Sequence, residues 1–199
     1  MQGVLFLGVM WAVWVIATFF MDKSDPLRRR MAFASLLFII VFPYQLKIGG
    51  FSVQWTAVFL IAAGYLYFAR FRGMRLAYQL VYVWIAMTGY TGMLLFELYD
   101  PVWIMANRMI FYSIFIFIIA QLASSSFFTG TMFVVLGTAQ GEIGYALAIM
   151  KWGFHQTAGS YSYLDIIALF LCLQCGWGVL NHLITALSEK YALKKEKGV

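Results

Sequence analysis

Apolar residues run in long, unbroken stretches along this chain, and the polar and charged residues collect in short gaps between them. Seven such runs lie at residues 3–21, 31–48, 52–69, 76–96, 103–123, 130–150 and 164–187. Each is long enough to cross a hydrocarbon core of about 30 Å at about 1.5 Å of helix rise per residue. In lipid only helices and closed barrels satisfy their own backbone groups, and barrel strands are about ten residues long with alternating polarity. The long, continuous runs therefore predict an all-α, polytopic transmembrane bundle of about seven helices, one domain over residues 1–199. Most gaps are short, as in a bundle whose helices pack antiparallel to their sequence neighbours.

Composition sharpens this picture. The chain is 63% hydrophobic and 11% charged, where a soluble domain is about half apolar and about a quarter charged. That much apolar surface needs lipid as its solvent. The net charge of +6 then reads as topology, with no indication of nucleic acid. With the N-terminus outside, the inner segments hold Lys23, Arg28, Arg29, Arg30, Arg70, Arg72, Arg75, Lys190, Lys194, Lys195 and Lys197. The outer ones hold only Lys47, Arg108 and Lys151. Cytoplasmic loops carry the excess of Lys and Arg, so the N-terminus is expected outside and the C-terminus inside. The first run lacks a basic leader and a small-residue cleavage site, so it reads as a membrane span and not as a signal peptide. The uncharged fifth gap, SSSFFTG at 124–130, carries no orientation signal, and the basic tail EKYALKKEKGV suits an anionic inner leaflet.

Polar residues inside the runs are the candidates for function, because hydrocarbon makes them costly. Glu142 lies near the middle of the sixth run, beside Gly137, Gly141 and Gly144. The GTAQG segment is a GxxxG pattern, which lets a second helix approach closely. That Gly137/Gly141 face could serve another part of this bundle or another membrane protein. Glu142 is expected to face the interior and to meet a polar neighbour on the fifth run, Arg108 or Asn107. Arg108 has a plainer alternative in Glu97 or Asp100, close by in sequence. In the seventh run, Gln174, Gly178, Asn181, His182 and Thr185 follow one helical face, which is expected to point inward. Cys172 and Cys175 have CxxC spacing, but no second ligand pair accompanies them. Buried, apolar cysteines are the expectation, with no metal and no cofactor. Pro43 is expected to kink the second helix. The loop KWGFHQTAGSYSY, residues 151–163, is rich in aromatics and expected to lie in the outer interface.

The opening GVLFLGVMWAVWVIATFFM, the RRR cluster at 28–30 and the full-length run of helical spans resemble the YphA-like small membrane proteins of spore-forming bacilli. The resemblance implies a bacterial cytoplasmic membrane and a sporulating cell. It implies no chemistry and no site residues. Signatures of soluble enzymes, such as GxxxxGK[ST], GxSxG and HExxH, are missing from the sequence. Two functional readings remain. One is a non-enzymatic structural or interaction component of the membrane. The other is a small-solute transporter or substrate-binding subunit built on Glu142, Arg108, Asn107, Gln174, Asn181 and His182. Geometry discriminates between them: a transporter needs these groups around a polar pocket, and a scaffold pairs them off in a packed core.

Overall fold

The computed structural model describes residues 2–48, 50–103, 107–124 and 126–196. Residues 104–106 of the fifth run, Ser125 of the uncharged gap, and Lys197 lie outside the described residues. The rest is an all-α bundle. Among the described residues its helices are α1 (Val4–Val15), α2 (Pro26–Val41), α3 (Trp55–Phe68), α4 (Met74–Tyr99), α5 (Arg108–Ala123), α6 (Phe127–Met150) and α7 (Tyr161–Glu196). A π-helical stretch, Ile16–Phe20, continues α1. By length and composition three helices suffice to cross a membrane: Met74–Tyr99, Phe127–Met150 and Tyr161–Ser188. The others are shorter; the 14 residues of α3 cover about 21 Å.

Two expected boundaries move, for local reasons. The second helix starts earlier than its apolar run, because Asp25 accepts the Leu27 N–H at 2.8 Å and Pro26 fills the first turn. The RRR cluster is therefore helical. Its first member, Arg28, donates from Nε to the Ala17 carbonyl (3.0 Å) and from Nη2 to the Thr18 carbonyl (3.1 Å). It thereby satisfies acceptors where α1 runs out. That helix ends at Val41, so Pro43 follows it and kinks nothing. Residues 45–54, assigned from hydrophobicity to two spans, instead hold a β-hairpin. Its strands are β1 (Gln45–Ile48) and β2 (Phe51–Gln54), with Gln45 opposite Gln54 and Ile48 opposite Phe51. Alternation across Leu46–Lys47 and Ser52–Val53, about a Gly-Gly pair, is the sequence signal for such a turn.

The helix α6 lies at the centre. It packs most extensively on α4, then on α3, and also touches α5 and α7; the circuit continues through α5–α7, α7–α1, α1–α2 and α2–α3. Its sequence neighbour α5 does touch α6, but the larger contact is with α4. The α4–α6 contact is parallel and very close. A Cβ on Gly137 would sit 2.7 Å from Ala86 Cβ and 2.8 Å from the Val83 carbonyl, and one on Gly141 would sit 3.1 Å from Thr91 and Tyr90. The GxxxG face is thus occupied by α4 within the chain. On the other side, Gly64 of α3 admits Leu136 of α6, at 2.8 Å from a would-be Cβ.

The helices are joined at two ends of the bundle. The hairpin end gathers Gly3, the β-hairpin, the α4–α5 connection and loop 151–160. Ala158 of that loop pairs with the hairpin: the Gln54 N–H donates to its carbonyl, and its own N–H donates to Ser52, both at 2.9 Å. The expected interfacial loop is therefore part of the fold from Thr157 to Ser160, while Trp152 and Phe154 stay exposed. The other, basic end gathers Lys23, Arg28–Arg30, Arg70, Arg72 and Arg75.

The glycine contact makes a direct prediction. Replacing Gly137 with Val forces α4 off α6, because Ala86 Cβ and the Val83 carbonyl oxygen lie within 3 Å of the new Cβ. Overpacking of this kind costs about 1–3 kcal/mol. Gly8→Ala, where nothing lies within 4 Å, is expected to be neutral. Thermal unfolding in detergent measures both; equal stabilities would contradict the packing.

Candidate functional site

Glu142 is 3% exposed, two helical turns from the end of α6. Its carboxylate accepts the Tyr90 hydroxyl of α4 at 3.0 Å and the Gly159 N–H of the loop at 3.2 Å. Glu142 does face the interior and is satisfied by a polar group on another helix. That helix is α4, however, and neither Arg108 nor Asn107 is the partner. Gly159 makes the second bond possible: its φ is +72°, and a Cβ there would sit 2.3 Å from Ala57 Cβ. The acid therefore joins α4, α6 and loop 151–160.

Arg108 takes the plainer of its alternatives. Its Nε lies 2.7 Å from one oxygen of Glu97 and 3.0 Å from the other. The Tyr112 hydroxyl donates to Glu97 at 2.8 Å, and Arg108 Nη1 donates to Ser162 at 3.3 Å. Asn107 is exposed and caps α5, accepting the Met109 N–H at 3.0 Å. The two polar groups are linked through aromatic rings, with Tyr90 at 5.6 Å from Tyr112 and 6.1 Å from Tyr163, centroid to centroid. Tyr163 shares a 3.2 Å hydrogen bond with Thr138. All three tyrosines are fully buried.

The stripe on α7 divides at Gly178. Gln174 is buried and accepts from Gln121 of α5 at 2.8 Å. Asn181, His182 and Thr185 are exposed, which corrects the expectation that the whole face points inward. The cause is register: Gly178 already lies beside Phe127, where α6 begins, so the residues beyond it have passed the bundle. Cys172 and Cys175 are free and exposed, not buried as expected.

A second intramembrane acid went unnoticed in the sequence. Asp165, 1% exposed near the start of α7, accepts the Gly3 N–H at 2.6 Å and the Phe6 N–H at 3.0 Å. A carboxylate on one helix thus caps another, where open amides and the helix dipole favour negative charge. The available signal was an Asp inside an apolar run, the same signal that singled out Glu142. Gln54 is also fully buried, donating from Nε2 to the Phe42 carbonyl. Its Oε1 and the Thr56 hydroxyl have no hydrogen-bond partner among the described residues. An apolar groove of about 400 Å³, lined by Leu80, Val81, Trp84, Ile85 and Thr88, lies on the side of α4 away from Tyr90.

Three helices long and apolar enough to cross a membrane point to an integral membrane protein. The model of the YphA-like integral membrane protein family matches residues 2–199, and the chain belongs to that family. It is similar to "Uncharacterized protein YphA" of Bacillus subtilis (strain 168), with 27% identity over 193 residues, covering 96% of this chain and 94% of the relative. No solved structure matches.

The pairing predicts specific couplings. Glu142→Leu leaves the Tyr90 hydroxyl and the Gly159 amide without an acceptor, at a cost of about 1–3 kcal/mol for each orphaned group. Combined with Tyr90→Phe, the loss is expected to be clearly non-additive. Combined with Arg108→Met, it is expected to add within about 0.5 kcal/mol. Double-mutant cycles on thermal stability in detergent give both numbers, and a strong Glu142–Arg108 coupling would reverse the assignment.

Proposed function

We propose that this chain is a non-enzymatic structural or interaction component of a bacterial cytoplasmic membrane. In this reading it crosses the bilayer several times, with the hairpin end outside and the basic C-terminal end inside. The carrying observation is that the acids in and beside the apolar runs meet protein donors, Glu142 and Asp165 in packed surroundings and Glu97 partly exposed at the end of α4. Glu142 is held by Tyr90 and Gly159, Glu97 by Arg108 and Tyr112, and Asp165 by Gly3 and Phe6. Groups already matched inside a packed interior favour stability and register over traffic of solutes. The collection of arginines at one end supports the orientation, and the Bacillus relative supports the compartment.

Two measurements test the proposal. A C-terminal reporter is expected to be active only on the cytoplasmic side. In proteoliposomes carrying a proton or sodium gradient, the purified protein is expected to leave the leak at the protein-free rate. A flux above that rate that disappears with Glu142→Gln would replace this reading with transport.

A further inference from the structure

Past Gly178, α7 leaves the bundle behind. Gly178 faces Phe127 at the first turn of α6, yet α7 continues to Glu196, a further length of about 27 Å. Its first turns there present Leu180, Leu183, Ile184 and Leu187 at 52%, 53%, 63% and 55% exposure. These positions follow i, i+3, i+4 and i+7, a single helical face. Asn181, Thr185 and Ser188 are also exposed and fall on a separate face. Water does not suit the first face, and acyl chains do not suit the second. A membrane–water boundary suits both.

Charge identifies which boundary. Arg28, bonded to the last turn of α1, belongs to the end of the bundle that Gly178 reaches, together with Arg29, Arg30, Arg70, Arg72 and Arg75. The extension itself carries Lys190, Lys194 and Lys195. Cationic surroundings repel a second copy of the same end and attract anionic lipid. The segment Gly176–Trp177–Gly178 gives the helix its weakest point just where it must turn, and Gly176 has open space around it.

We propose that residues 179–196 form an amphipathic helix lying on an anionic lipid surface at the basic end of the bundle. The leucine and isoleucine face enters the acyl boundary, and the amide and hydroxyl face meets water. This contact is independent of whether the chain carries any solute.

The test uses the full chain with Cys172 and Cys175 replaced by Ser and a spin label at Leu183→Cys or Thr185→Cys. The protein is reconstituted in phosphatidylcholine vesicles, with or without phosphatidylglycerol. In anionic vesicles the label at position 183 is expected to be several-fold more accessible to oxygen than to a nickel chelate, and the label at 185 the reverse. Without phosphatidylglycerol, or with Lys190, Lys194 and Lys195 all changed to Gln, both labels should become accessible to nickel. Thermal stability in detergent checks that these variants remain folded. Three outcomes would overturn the proposal: both labels open to nickel in either vesicle, both buried in lipid regardless of its charge, or spin–spin broadening that vanishes on dilution with unlabelled protein, which signals a second copy.

Discussion

Tyr90 reaches Glu142 only because Gly137 and Gly141 allow α4 and α6 to lie in backbone contact. With larger side chains at those two positions the helices would stand further apart. The phenol would then fall short of the carboxylate. The same closeness lets the Thr91 hydroxyl donate to the Gly141 carbonyl at 3.1 Å. A buried acid with no donor is expensive in a low-dielectric interior. The glycine seam thus makes the polar pair tolerable, and the pair in turn holds the seam in one register. From there the constraint spreads outward. The second oxygen of Glu142 fixes Gly159, Gly159 positions Ala158, and Ala158 completes the pairing with the β-hairpin.

The two ends of the bundle are built on different physics. At the hairpin end, acids are matched by directed hydrogen bonds inside the protein, and Asp165 adds the first turn of α1 to that set. At the basic end, Arg28 donates to the Ala17 and Thr18 carbonyls of the π-helical stretch that continues α1. A chain organised in this way has one end whose acids are bonded within the protein and another whose charges and projecting helix remain available to their surroundings.

Hydropathy made the helices legible, because seven long apolar runs have few alternatives in lipid. It misplaced the hairpin, since Leu46, Ile48, Phe51 and Val53 raise the local hydrophobicity as a helix would. The alternation and the Gly-Gly pair carried the better signal. The inward position of Glu142 followed from the cost of charge in hydrocarbon. Its partner did not, because the order of helices around α6 is a tertiary property, and α4 takes the place expected of α5. Arg108 was legible as far as its sequence-local alternative, Glu97, eleven residues away. The α7 stripe failed at Asn181 for a different reason. Periodicity tells which residues share a face, and it says nothing of where the neighbouring helices end.

The central claim is that Glu142 is spent on holding the fold, in a dry cluster with Tyr90 and Gly159. Hydrogen–deuterium exchange in reconstituted protein tests it most directly, at the Gly159 amide. The account predicts strong protection there, against faster exchange at the exposed His155, and loss of that protection in Glu142→Leu with α4 and α6 still folded. An amide at 159 that exchanges as fast as His155 in the unaltered protein would contradict it, because water would then reach the carboxylate.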